Sequence, residues 1–166
     1  MGARLNRYSA KVITASNRAS AGIYADLSGT NLADGLRDLG YSVIGIVVVA
    51  DEIESIAFEI SRALESGIDL IVTTGGTGLS PLDVTPEATA PFIEKLIPGF
   101  SEALRANSRV AIPTTDLTRG LVGTNGTSLI INLPGSPGGV RDGLVIIASL
   151  AGHILDQTHG IDHLQK

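Results

Sequence analysis

The segment 70–87 most constrains what this chain can fold into. It opens on Leu70, Ile71 and Val72, runs through Thr73 and Thr74, and breaks at once into Gly75, Gly76, Thr77 and Gly78. A short apolar run rich in β-branched residues and ended by glycines reads as a buried strand. Three glycines in four positions let the backbone pass through positive φ and approach a ligand with no Cβ in the way. Successive N–H groups in such a turn form a concave anion site. Thr74, Thr77 and Ser80 add hydroxyls, and Asp83 adds the loop's only formal charge. Thr85, Pro86 and Glu87 then read as a helix start, with Thr as N-cap, Pro at the first helical position and an acid in the first turn. This order of features suits a phosphorylated ligand and a metal. The turn is not a Walker A loop, because no lysine follows the glycines. Nor is it a dinucleotide fingerprint, because Pro81 stands where the last glycine would be. The plainer alternative is a tight strand-to-helix turn with incidental hydroxyls.

The rest of the chain repeats the strand–loop–helix theme. Residues 8–14 read as a first strand around Val12 and Ile13, ending in a loop that holds Ser16, Asn17, Arg18 and Ser20. In parallel α/β sheets such loops gather on one edge, where ligands bind, so Ser16, Arg18 and Ser20 become candidate contacts; solvating a turn is the other reading. Asp26 and Ser28 precede a helical pattern over 31–39, with Gly40 as its stop. Residues 41–50 form a second strand, apolar enough for burial on both faces. It ends at Asp51, ahead of a helix that carries Ile53, Ile56, Ile60 and Leu64 at helical spacing. Asp51 is either an N-cap or a carboxylate offered to a cation on the same edge as the glycine turn.

After Thr85 the pattern predicts a helix through Ala90, Ile93 and Leu96, a break at Pro98 and Gly99, and a second helix over 100–107. Residues 110–118 read as a linking loop or irregular helix. Residues 119–123 and 128–133 look like short strands around the Asn125–Gly126 hairpin signal, so one antiparallel pair interrupts a parallel order. A second special loop follows: Asn132, Pro134, Gly135, Ser136, Pro137, Gly138 and Gly139, again between an apolar strand and a helix. Its helix N-terminus offers another anion cradle. Arg141 in that first turn opposes the helix dipole, which favours an anionic partner. The final helix, 140–157, is apolar nearly all round; one side can pack on the sheet, and the other calls for a cover, most economically a second subunit. His159 and His163 have the spacing of a zinc pair, but the polar tail supplies no third ligand, which argues against a metal there.

Composition narrows the function. A chain of 166 residues is the size of one domain, so 1–166 is read as a single unit. It is 43% hydrophobic and only 17% charged, the profile of a folded chain. The mean hydropathy of +0.29 fits the unusually apolar last helix. A net charge of −5 without a basic stripe argues against nucleic acid. The absence of cysteine removes disulfides, thiolate metal sites and thiol catalysis. No signal-like N-terminal segment and no run of about 18 apolar residues is present, so no membrane role and a cytoplasmic location are expected.

Taken together, these blocks resemble the bacterial Mog and MoaB-type molybdenum cofactor biosynthesis proteins, relatives of the gephyrin G domain. The resemblance spans nearly the whole chain. Its most specific parts are Thr74 to Gly78 followed by Asp83, Val84, Thr85, Pro86 and Glu87, and the run from Asn132 to Gly138. Ser16 to Ser20, Gly22, Tyr24, Asp26 and Asp51 support it. The resemblance implies a three-layer α/β/α sandwich on a mostly parallel sheet, often trimeric, that binds molybdopterin. The Mog-type activity it implies is adenylyl transfer from ATP to the terminal phosphate of molybdopterin, with Mg²⁺, ahead of a molybdate-inserting partner enzyme. The family's two functional carboxylates match Asp51 and Asp83. The implied ligand contacts are Thr74 to Gly78, Ser16, Arg18, Ser20, Asn132 and Pro134 to Gly138. A non-catalytic, MoaB-type pterin-binding protein is the alternative. Whether Lys11, Arg18, Arg119 or Arg141 touches phosphate stays open.

Overall fold

The structure is a computed structural model, and it describes residues 7–161. Its centre is a six-stranded sheet in the order β2-β1-β3-β6-β5-β4. The strands are β1 (Ser9–Ala15), β2 (Ser42–Val49), β3 (Leu70–Thr74), β4 (Lys95–Leu96), β5 (Val122–Asn125) and β6 (Ser128–Leu133). β2, β1, β3 and β6 run parallel, while β5 is antiparallel to both β6 and β4.

The helices are α1 (Asn17–Ser20), α2 (Leu27–Asp38), α3 (Ile53–Glu65), α4 (Thr85–Thr89), α5 (Pro98–Ser108) and α6 (Pro137–Thr158). They divide between the two faces of the sheet. Leu32 and Leu36 of α2, Phe100 and Leu104 of α5, and Val140, Ile147, Ala151 and Leu155 of α6 share one core with Val12, Val72 and Ile131. Ile56, Ile60 and Ala63 of α3 and Ala88 of α4 share the other with Ile13, Ile71 and Ile130. Alternate residues of β3 and β6 feed opposite cores, which is why Leu70–Val72 and Leu129–Ile131 are unbroken apolar runs. The three-layer expectation is met.

β1 is flanked by β2 on one side and β3 on the other, so the chain reverses its direction of winding there. Loops leaving β1 and β3 at such a point diverge and leave a crevice at the strand C-termini.

Several boundaries differ from the sequence reading. β2 was expected to be buried on both faces, but it is an edge strand, with Ile44 64% and Ile46 39% exposed. The register shifts between Ala10 and Lys11 of β1, which leaves Ile44 of β2 without a partner, as in a bulge. The helix expected from Thr85 through Leu96 stops early. Ala90–Phe92 is a 3₁₀ turn with Pro91 in it, and Ile93 is already extended. Glu94 and Ile97 donate to the carbonyls of Thr124 and Val122, so the free edge of β5 draws this segment into β4. Pro98 opens α5 rather than ending a helix, as the missing N–H of proline allows. α6 has Ser136 as N-cap, with its hydroxyl accepting from Gly139 N, and so starts earlier than Val140.

α6, 22 residues long, has the length and composition of a membrane-crossing helix, with an 18-residue stretch at a mean hydropathy of 1.3. Its buried side is nevertheless used inside the chain, against α2, α5 and β6. The large apolar side chains that α6 leaves exposed among the described residues are Val145, at 51% exposure, and Leu150. His163 lies outside the described residues. His159, its expected zinc partner, has Nδ1 against the Leu155 carbonyl at 2.8 Å and Nε2 against Asp69 at 3.0 Å, so both ring nitrogens are engaged.

Candidate active site

Four loops meet at the C-terminal ends of the parallel strands. The turn after β3 has Gly75 at φ +95° and Gly76 at φ +66°, a region where side chains are strained. Gly75 N–H donates to the Leu133 carbonyl at 3.0 Å, joining this turn to the end of β6. Thr74 Oγ1 donates to the Pro134 carbonyl at 2.9 Å. A Cβ on Gly135 would stand 3.0 Å from Gly75 Cα, so the two glycine loops touch backbone to backbone. Thr85 does not cap α4 as expected; the N-cap position is Val84, and no side chain caps it. Thr85 is instead fully buried, with its hydroxyl donating to the Gly75 carbonyl at 2.9 Å and its N–H to the Gly76 carbonyl at 3.0 Å. The helix start thereby ties down the turn.

Asp51 does not cap α3. That position belongs to Glu52, whose side chain accepts from Ser55 instead. The Asp51 carboxylate reaches the loop after β1, where Oδ2 accepts from Asn17 N at 2.9 Å. Asn17 Oδ1 accepts from Asp51 N at 2.9 Å in return. This leaves Asp51 Oδ1 beside the turn, 3.6 Å from where a Cβ on Gly76 would stand. Asp83 approaches the same turn from the other side. Its Oδ2 accepts from Ser80 N at 2.9 Å and lies 2.7 Å from where a Cβ on Gly78 would stand. The sheet thus brings both carboxylates to one glycine turn.

Neither Asp51 nor Asp83 forms a salt bridge among the described residues. Two half-buried carboxylates at a backbone-floored turn fit a hard cation such as Mg²⁺, which takes one or two carboxylates and completes its shell with phosphate and water oxygens. No cluster of three or more histidine or acidic side chains suited to a metal occurs among the described residues.

Arg119, at the approach to β5, sits behind Asp83. Its Nε donates to the Gly78 carbonyl at 2.8 Å and its Nη2 to the Asp83 carbonyl at 2.9 Å. Its Nη1 pairs with Glu87 of α4, and its N–H donates to Thr77 O at 2.8 Å. The hydrogen bond from Arg119 holds the Glu87 carboxyl below the ordinary carboxylate range, and Glu87 raises the guanidinium in return. Arg119 is therefore taken up by the loop. Lys11 is likewise occupied, by Glu59 at 2.7 Å. Arg141 is largely exposed and does not line the cleft. Arg18 is exposed on α1.

Two open clefts flank the Gly75–Gly135 contact. The first, about 410 Å³, is lined by Gly75 to Gly78, Asp83, Thr115, Thr118, Pro134 to Ser136, Gly139 and Asp142. The second, about 310 Å³, is lined by Ser16, Tyr24, Asp26, Ser28, Thr74, Gly75, Gly135 and Pro137. Of the residues singled out from sequence, Thr74, Gly75, Gly76, Thr77, Gly78, Asp83, Ser16, Pro134, Gly135, Ser136 and Pro137 border one cleft or the other. Asp51, Arg18, Ser20 and Gly138 line neither; Asp51 reaches the turn only beside Gly76. Ser20 Oγ donates to the Asn17 carbonyl. Asn132 is placed differently from the expectation. It is 1% exposed, its amide nitrogen bonds Thr73 and Thr89, and its oxygen accepts from Leu121 N. A buried amide whose partners are all interior protein groups is not presented to a ligand. Sequence reading missed the roles of Asn17 and Arg119, since neither occurs in a motif that announces a contact across the fold.

A family described as a probable molybdopterin binding domain matches residues 11–153. The chain belongs to this molybdopterin-binding family. Molybdopterin adenylyltransferase of Helicobacter pylori (strain ATCC 700392 / 26695) is 42% identical over 134 residues, covering 79% of this chain and 76% of that protein. The structure of the molybdopterin biosynthesis Mog protein of Mycobacterium ulcerans superposes with a TM-score of 0.86 at 45% identity, over 91% of this chain and 99% of that one. The molybdopterin biosynthesis enzyme MoaB of Thermus thermophilus superposes with a TM-score of 0.85 at 34% identity, over 92% and 97%. The resemblance read from the glycine loops and the two carboxylates is thereby met.

Proposed function

We propose that the chain is a molybdopterin adenylyltransferase that acts as a single domain in molybdenum cofactor biosynthesis. The observation that carries this reading is the pair Asp51 and Asp83, two carboxylates brought by different loops to one glycine turn. The relative from Helicobacter pylori named molybdopterin adenylyltransferase supports it. In the reaction a terminal phosphate oxygen of molybdopterin bonds to the α-phosphorus of ATP. The bond from that phosphorus to the bridging oxygen breaks, and pyrophosphate leaves with the electron pair. The nucleophile is already an anion, so no general base is required.

The residues supply positioning and charge complementarity, the main sources of rate in such transfers. Asp51 and Asp83 would hold Mg²⁺, which when bound offsets charge on the phosphate oxygens. Gly75 to Gly78 let phosphate come against main-chain N–H groups. Pro134 to Ser136, with Ser16 of the neighbouring cleft, would face the pterin and its phosphate. Thr85 and Arg119 keep the turn in shape.

The MoaB-type, non-catalytic reading is the weaker one, because the chain is 45% identical to the Mog structure and 34% to the MoaB structure. Exposed Ile44, Ile46 and Val145 support a homo-oligomer, for which a trimer is the proposed form. A molybdate-inserting enzyme is the proposed next partner, and the cytoplasm the proposed location.

Purified chain incubated with molybdopterin, ATP and Mg²⁺ should form adenylylated molybdopterin and pyrophosphate. The Asp83→Ala variant should lose turnover while still binding molybdopterin. Equal turnover by variant and parent would remove Asp83 from the mechanism.

A further inference from the structure

The loop from Gly78 to Asp83 carries one of the two carboxylates, yet it has little structure of its own. Leu79 and Leu82 are largely exposed, at 66% and 57%. Its internal bonds are Asp83 N to Ser80 O, Ser80 N to Asp83 Oδ2, and Leu82 N to Ser80 Oγ at 3.3 Å. Among the described residues, the only side chain outside the loop that bonds to its backbone is Arg119. That one guanidinium takes a carbonyl at each end of the loop, Gly78 O at 2.8 Å and Asp83 O at 2.9 Å. Its remaining edge is held by the Glu87 carboxylate, and its own backbone is held by Thr77. The fork is therefore oriented before it meets the loop.

We propose that Arg119 is a positioning residue that staples the two ends of the Gly78–Asp83 loop and so sets where the Asp83 carboxylate stands. The inference rests on the adenylyl-transfer reading for its catalytic consequence, though not for the staple itself. The geometry requires arginine. Three acceptors lie around one planar group, and a lysine ammonium, a single point of charge, cannot bridge both loop ends while pairing with Glu87. If Arg119 only neutralised charge, lysine would serve as well. Without the staple, Asp83 keeps its chemistry and loses its address. Loss of a partner that orients a metal-binding carboxylate lowers metal affinity or activity by about 10- to 100-fold. The cleft lined by Ser16 and Tyr24 lies beyond the Gly75–Gly135 contact and is left alone.

The test compares Arg119→Gln, Arg119→Lys and Glu87→Ala with the parent chain in two measurements. The first is hydrogen–deuterium exchange of peptides covering 78–84 without substrate, which depends on no assumption about activity. Exchange should quicken in both Arg119 variants and in Glu87→Ala, with the β1 and β6 peptides unchanged. The second is turnover with molybdopterin, ATP and varied Mg²⁺. kcat should fall by about 10- to 100-fold in both Arg119 variants. The Mg²⁺ needed for half-maximal rate should rise, and KM for molybdopterin should hold within about twofold. Lysine should not rescue. Parent-like loop exchange in the Arg119 variants overturns the staple. So does full rescue by Arg119→Lys, or a rise in KM for molybdopterin that accounts for the whole loss. If Arg119→Gln fails to fold, exposed Glu87→Ala decides the matter by the same exchange measurement. If the parent chain itself shows no turnover, the adenylyl-transfer reading fails, and exchange alone still decides the staple.

Discussion

At Gly75 the backbone stands at φ +95°, and a Cβ there would overlap the carbonyl oxygen of Ala15 at the end of β1. Backbone at that φ strains any side chain by about 1–3 kcal/mol, and here the obstacle is rigid main chain. Gly75→Ala should therefore lower stability by at least that amount in denaturant unfolding, and turnover should fall further than stability does. A fully stable, fully active variant would mean the turn is not held as described. Gly99, by contrast, meets nothing where a Cβ would be, so its replacement by alanine is a fair control. The same scale shows what a single sequence conceals. The glycines at 75, 76 and 78 announce a close approach, because no other residue type tolerates one. Asp51 does not announce its role. A carboxylate ahead of a helix has the same neighbours whether it caps the helix or bonds across to Asn17, and only the fold brings Asn17 within reach. Asn132 misled for the opposite reason, since a polar residue beside a glycine loop looks like a ligand contact until Thr73, Thr89 and Leu121 are found around it.

At the scale of elements, the Glu87–Arg119 pair links α4 to the approach of β5 and carries a pH signature. The hydrogen bond from Arg119 lowers the Glu87 carboxyl in the folded chain. A lowered carboxyl contributes stability above its unfolded value, about 4.3, and loses that contribution as pH falls through the folded value. Melting temperature should thus drop less on acidification below about pH 4.3 in Glu87→Gln than in the parent, when each is compared with its own value at neutral pH. Glu87 is half-exposed, so the effect is small and screened by salt. Identical acid profiles would show that the pair is not formed in solution. The elements most readable from sequence were those whose burial is complete. β3 and β6, sandwiched between two helical layers, show unbroken apolar runs, and the Asn125–Gly126 hairpin between β5 and β6 is set by local turn chemistry. The least readable was β4. Ile93 and Leu96 sit at helical spacing, but Pro91 disrupts the helix, and the open edge of β5 offers hydrogen bonds that no local pattern records. β2 misled similarly, because its apolar count is that of a central strand while its position is an edge.

At the scale of the whole molecule, the site exists only because the sheet is complete. Asp51 follows β2 and Asp83 follows β3, with β1 between them in the sheet and the Asn17 loop bridging the gap. The two carboxylates come from loops after different strands, so a cation site shared between them would be a property of tertiary structure and should respond as a unit. The most direct measurement is a titration of Mn²⁺, as a paramagnetic surrogate for Mg²⁺, with ATP present, on the parent chain and on Asp51→Asn, Asp83→Asn and the double variant. Two carboxylates gripping one ion predict that either single change removes most of the affinity and that the double variant is scarcely weaker than a single, a strongly non-additive cycle. Strictly additive losses, or a single variant that binds Mn²⁺ as the parent does, would contradict a shared site at the glycine turn.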